Sequence, residues 1–142
     1  MIDKIIEQMN LKERDVRQIP GLTLAYLGDC IYELVIRTML VERGMSHVSE
    51  LNREASSRAK ASAQAELLHK IEPFLSEEEA AAYRRGRNVK SASVAKHATV
   101  IDYRTATGFE ALMGYLYLNN RIDRILELVM MGEQSDKEAD KE

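Results

Sequence analysis

The strongest pattern along the chain is a pair of stretches that lack a polar face. Leu22 to Ile36 reads Leu-Thr-Leu-Ala-Tyr-Leu-Gly-Asp-Cys-Ile-Tyr-Glu-Leu-Val-Ile, and Phe109 to Leu118 reads Phe-Glu-Ala-Leu-Met-Gly-Tyr-Leu-Tyr-Leu. A surface helix of a globular protein shows one apolar stripe and one charged face. These two show almost no charge, so both read as helices covered by neighbours on most sides. Their few acids therefore stand out. Asp29 and Glu33 lie one turn apart on one face of the first stretch, and Glu110 lies in the second. An ionised carboxylate is costly to bury unless it is paired or bound to metal. Each stretch also carries a glycine in mid-helix, Gly28 beside Asp29 and Gly114 one turn after Glu110. A glycine costs a helix about 1 kcal/mol relative to alanine, so it implies a packing reason. The expectation is that the two helices cross closely at these glycines and bring Asp29 and Glu110 to one end of a shared groove.

The remaining pattern is also helical. Ile2, Ile5, Ile6 and Met9 mark a short first helix. Pro20-Gly21 punctuates the chain, with Thr23 as the expected cap of the central helix, which runs to about Val41 and stops before Gly44. Arg37 lies one turn after Glu33 and offers it an ion pair. Ser46 to Ile71 is a longer alanine-rich segment whose apolar face drifts, which predicts a break before Pro73. Ser76 and Glu79 form a capping box for a helix from Glu77 to about Asn88. Asp102 is the expected cap of a helix from Tyr103 to Leu118, and Asn119-Asn120 ends it. Ile122, Ile125, Leu126, Val129 and Met130 give a last amphipathic helix. No strand-like alternation or convincing repeat stands out, so the fold class is all-α. Residues 1–131 read as one domain, and residues 132–142 as a disordered acidic tail with nothing to bury.

Composition sets bounds on this picture. A chain of 142 residues with 45% hydrophobic and 30% charged content suits one soluble domain. The net charge of −3 creates no global field toward a polyanion. The longest apolar runs fall short of the ~20 residues of a membrane span, and the N-terminus does not resemble a signal peptide. A cytoplasmic protein is expected, with no membrane partner. The single Cys30, inside the apolar stretch, reads as a small core residue. One cysteine and three histidines make a zinc site a poor expectation.

Charge patterning adds one feature. No acid occurs from Ala80 through Ile101, where Arg84, Arg85, Arg87, Lys90, Lys96 and His97 fall. Cations at a helix C-terminus are favourable on dipole grounds, which accounts for Arg84, Arg85 and Arg87. It does not account for Lys90 and Lys96, in a small, polar, basic loop from Arg87 to Ile101. That loop reads as a phosphate grip, weighed against a merely solvated loop. It has no aromatic residue for stacking single-stranded bases, so contact with a duplex backbone fits better. Two acids on different helices beside such a loop suggest metal-assisted phosphodiester chemistry, with hard oxygen ligands selecting Mg²⁺ or Mn²⁺. The alternative for the acids is a paired or capped structural role.

At these residues the chain resembles a known family. Leu24-Ala-Tyr-Leu-Gly-Asp-Cys-Ile is similar to the ribonuclease III signature centred on Leu-Gly-Asp. Phe109-Glu-Ala-Leu-Met-Gly-Tyr-Leu-Tyr-Leu is similar to the family's second motif, in the right order and at a fitting separation. The chain departs from the family pattern at Ala25 and Thr107, where the family has acids, and no double-stranded-RNA-binding domain follows. In this it resembles the short branch called Mini-ribonuclease III, as do Arg84-Arg-Gly-Arg-Asn-Val-Lys and Tyr103-Arg-Thr.

The resemblance implies a ribonuclease III-like helical bundle that is a homodimer, with two sites flanking one valley for double-stranded RNA. It implies metal-dependent endoribonuclease hydrolysis leaving 5′-phosphate and 3′-hydroxyl ends, with the 23S ribosomal RNA precursor as substrate. It leaves open whether a ribosomal protein or the pre-ribosome presents that substrate. Carried over residue by residue, Asp29 and Glu110 are the metal ligands and catalytic acids. Glu33 and Thr107 are candidates for a supporting role behind them, and Arg84, Arg85, Arg87, Lys90, Lys96 and Arg104 are the RNA contacts. Two other readings stand beside this one. The first is a non-catalytic RNA- or ribosome-binding module on the same fold, motivated by the two missing acids. The second is an all-α nucleotide phosphohydrolase, which the lack of clustered Glu-x-x-Glu pairs disfavours.

Overall fold

The computed structural model of the chain describes the backbone of residues 1–89 and 99–141 and the side chains through Gln134. Among these residues there are helices and no strand. They are α1 (Ile2–Gln8), α2 (Gly21–Glu42), α3 (Val48–Ala59), α4 (Ala61–Ile71), α5 (Glu77–Arg87), α6 (Val100–Leu118) and α7 (Ile122–Lys141), with 3₁₀ turns at Val16–Gln18 and Glu72–Phe74. The long segment after Gly44 does break, at Lys60, whose extended ψ of 153° separates α3 from α4. Gly44 sits just past the end of α2 with φ +95°, a conformation glycine tolerates. Asn120 takes the left-handed conformation between α6 and α7. The Ser76–Glu79 capping box is formed in both directions.

The central helix of the bundle is α6. It packs against α2, α4, α5 and α7, and Phe109, Leu112 and Met113 are fully buried. Phe109 meets Tyr32 of α2 edge to face, with ring centroids 5.0 Å apart. The apolar character of α2 has another outcome. Leu24, Ile31, Tyr32, Ile36 and Leu40 face the core, but Leu22, Tyr26 and Leu34 are exposed, Tyr26 to 83%. Burial of α2 on most sides is thus not met within one chain. Cys30 lies on the same open stripe and is exposed rather than a core residue.

Helix starts differ from expectation for local reasons. Helix α2 begins at Gly21 with Pro20 as its cap, so Thr23 lies inside the helix. Helix α6 begins at Val100, because the Thr99 side chain accepts from the Asp102 backbone N–H. Asp102 is therefore a capped residue and not the cap. At the other end, α7 runs past Gly132, where the tail was expected to start. Gly132 is buried with Leu67 against it, and Glu133 pairs with Arg58. Earlier in α7, Arg124 reaches across to α5. Its guanidinium donates to both carboxylate oxygens of Glu79, at 2.8 and 3.0 Å, and to the Phe74 carbonyl at 2.8 Å. That hydrogen bonding holds the Glu79 carboxyl below its ordinary pKa.

The decisive packing is between α2 and α6. A Cβ built on Gly28 would overlap the Glu110 carbonyl oxygen and sit 2.7 Å from the Gly114 nitrogen. A Cβ on Gly114 would overlap the Leu24 carbonyl oxygen. Both neighbours are backbone atoms, which cannot rotate away. The helices cross backbone to backbone, as the glycine positions implied. Overpacking a tight contact costs typically about 1–3 kcal/mol. Gly114→Ala is therefore expected to lower stability by at least about 2 kcal/mol in chemical denaturation, with the contact between α2 and α6 forced open. An unchanged denaturation midpoint would mean that the crossing is looser than described.

Candidate active site

The crossing fixes two carboxyl groups. Asp29 follows Gly28 on α2, and Glu110 is the α6 residue whose carbonyl lies against Gly28. Asp29 is exposed and Glu110 half-buried, so of the two acids expected to be buried only Glu110 is, and only in part. The two side chains lie close enough to interact. Burial first, then side-chain hydrogen bonding with Asp29 and the Asp29 charge, push the Glu110 carboxyl up to about 9. Like charges at this separation cannot both ionise cheaply without a counter-ion.

Glu33 is not part of this pair. It accepts a 2.8 Å hydrogen bond from Arg37, the ion pair anticipated from their spacing. Among the described residues no group of three His, Cys, Asp or Glu side chains converges as a metal site. Thr107, one turn before Glu110, is half-buried and donates its hydroxyl hydrogen to the Tyr103 carbonyl at 3.0 Å. Its oxygen is left free only to accept.

The cations divide into three kinds. Arg84 and Arg104 are exposed. Arg85 is turned inward, donating to the Arg17 carbonyl and to the Val16 carbonyl at 3.2 Å. It braces the 3₁₀ turn that leads into α2, so two of its donors are turned away from the RNA contact expected of it. Arg87 is half-buried, with its guanidinium 5.4 Å from the Tyr83 ring centroid and Nε donating to Asn88 Oδ1 at 3.3 Å. Lys90 and Lys96 lie outside the described residues.

Comparison with known proteins decides the family. Residues 22–121 match the Ribonuclease III domain model. The chain belongs to the ribonuclease III family. It is an endoribonuclease of that type. It is 46% identical to the Mini-ribonuclease 3 of Enterococcus faecalis, over 87% of this chain and 99% of that protein. It is 47% identical to the Mini-ribonuclease 3 of Symbiobacterium thermophilum, over 78% of this chain and 85% of that one. A crystallised protein from Fusobacterium nucleatum superposes with a TM-score of 0.76 at 31% identity, covering 87% of this chain and 98% of its own. No helix among the described residues is long and apolar enough to cross a membrane.

The ribonuclease III family depends on divalent metal, and the donor set here fits one. The two acids bring hard carboxylate oxygens together, and Glu110 keeps its proton where a cation's charge would neutralise the pair. Asp29 and Glu110 would hold the ion, with most of its other positions left to water, as Mg²⁺ tolerates. The departure at Ala25 acquires a structural reason. Ala25 is 6% exposed and packs in a small apolar cluster with Ile19, Leu24 and Ala111. An acid there would be stranded in that cluster.

Sequence reasoning missed Tyr83, whose i, i+4 spacing to Arg87 was the available signal, and it missed the carbonyl partners of Arg85, more than sixty residues away in sequence.

The acid pair makes stability depend on pH with a definite sign. Glu110 is raised in the folded state, from 4.5 to about 9. Between those values the folded protein keeps a proton that the unfolded chain has released. Stability of the metal-free protein therefore falls as pH rises through that window and levels off above it. Glu110→Gln cannot ionise, so its Tm in chelator should exceed the wild-type Tm at pH 8 and approach it at pH 5. Parallel Tm-against-pH curves for the two proteins would show that Glu110 carries no such shift.

Proposed function

We propose that this ribonuclease III cleaves double-stranded RNA with Mg²⁺, or Mn²⁺ in its place, and that its substrate is the 23S ribosomal RNA precursor. The observation that carries the reading is the Asp29–Glu110 contact at the glycine crossing. A divalent ion held there supplies a bound water of lowered pKa and stabilises charge on the scissile phosphate. Glu110 gives up its proton to bind it. The Thr107 oxygen, with its hydrogen committed to Tyr103, accepts from a water and so orients it. Glu33 stands one turn further along α2, neutralised by Arg37, and keeps a second free carboxylate away from the RNA phosphates. Arg84, Arg87 and Arg104 bind backbone phosphates, and Lys90 and Lys96 extend that grip. The products carry 5′-phosphate and 3′-hydroxyl ends.

The working unit in this reading is a homodimer. The stripe Leu22, Tyr26, Cys30 and Leu34 leaves α2 open on one side, and a second copy of the chain covers it. Tyr26 is its most exposed member and the natural anchor. Tyr26→Glu is expected to halve the mass seen by light scattering at micromolar concentration; a wild-type protein that is already monomeric would remove the dimer.

The function is tested by incubating a long RNA duplex and, separately, the precursor ribosomal RNA with Mg²⁺. Wild type should cut both, while Glu110→Gln binds without cutting and chelator abolishes cleavage. Binding that depends on arginine–phosphate contacts should weaken steeply with salt. Wild-type binding without cleavage of either RNA would instead support a non-catalytic module on this fold.

A further inference from the structure

We infer that Tyr83 is a positioning residue for RNA binding: its ring fixes the Arg87 guanidinium as a preformed phosphate site on α5. This deepens the RNA reading and rests on it. Tyr83 is buried, to 4% exposure. The ring itself is what the site uses. One face of α6 receives it at Gly108, where a Cβ would stand 2.6 Å from ring atoms Cδ2 and Cε2. Gly86, in the next turn of α5, is held as tightly against the Thr107 carbonyl and Ala111. The ring therefore has no room to swing, and Arg87 lies on it at 5.4 Å from the centroid. Asn88 accepts from Arg87 Nε at 3.3 Å and fixes the guanidinium's rotation. No acid pairs with Arg87 among the described residues, so the charge is uncompensated while its side chain is ordered.

That combination suits an anion. A long arginine normally loses rotamer freedom on binding phosphate. Here the ring and the Asn88 amide have already removed it, and the two Nη groups have no partner among the described residues. Gly108 and Glu110 are two residues apart, about 200° around α6. Arg87 thus sits on the side of α6 away from the acid pair. It grips a phosphate other than the one cleaved, and its contribution falls on binding more than on the chemical step.

The test is a double-mutant cycle on binding of a 30-base-pair RNA duplex, measured in the Glu110→Gln background at moderate salt, with kcat and KM from the cleaving proteins. Arg87→Ala should weaken binding and raise KM with little change in kcat. Tyr83→Leu should weaken binding about three- to tenfold, the scale of a cation–π contact. Tyr83→Phe should restore wild-type affinity, and Tyr83→Leu added to Arg87→Ala should cost nothing further. If Arg87→Ala alone has no effect, the RNA role of Arg87 fails and the inference with it. If Arg87→Ala weakens binding but Tyr83→Leu does not, or the two effects multiply, the positioning role alone is overturned. A second measurement needs no core substitution. In the NMR spectrum of the wild-type protein, the Arg87 δ protons should show upfield ring-current shifts. Random-coil shifts there would overturn the inference even if Tyr83→Leu does not fold.

Discussion

Everything about the site depends on two helix backbones touching. Where Gly28 and Gly114 meet, α2 and α6 come closer than any side chain permits, and Glu110 presents its carbonyl to Gly28. Side chains flanking that point cannot avoid each other, so Asp29 and Glu110 are held together by the main chain and not by rotamer choice. A second contact of the same kind, Gly86 against Thr107 and Ala111, seats the basic end of α5 on the same helix. Helix α6 is therefore the reference frame, with acids on one side and cations on another. Phe109, Leu112 and Met113 anchor it in the core.

This construction places an electrostatic conflict at the helix crossing. Two carboxyls forced together, one partly desolvated, keep a proton well above its ordinary range. Two other acids are balanced by arginines. Glu79 is nearly as buried as a core residue, but Arg124 satisfies both of its oxygens. Glu33 has Arg37. The contrast separates a structural ion pair from an unbalanced pair of acids, and it does so by partners rather than by burial. The same sorting applies to the arginines, since Arg85 is consumed by carbonyls and Arg87 is merely oriented.

Much of this was legible from the chain itself, for identifiable reasons. The mid-helix glycines beside acids announced the crossing, because an isolated glycine in a helix needs a packing cause. The Ser76–Glu79 box and the Glu33–Arg37 pair were readable because both are local. What escaped was non-local. The exposure of Cys30 and Tyr26 contradicts an all-round apolar pattern, since a sequence does not say whether a helix face is covered by its own chain. The inward turn of Arg85 depends on carbonyls of a turn far upstream. The continuation of α7 beyond Gly132 depends on Leu67 and Arg58, which polar composition alone conceals.

The most direct measurement is calorimetric titration of the metal-free protein with Mn²⁺ at pH 7, in buffers of different ionisation enthalpy, for wild type and Asp29→Asn. With the Glu110 carboxyl near 9, wild type should bind Mn²⁺ and release close to one proton per chain. Asp29→Asn should bind far more weakly. Mn²⁺ binding that is unchanged in Asp29→Asn, or that releases no proton, would contradict a metal site built from the acid pair at the helix crossing.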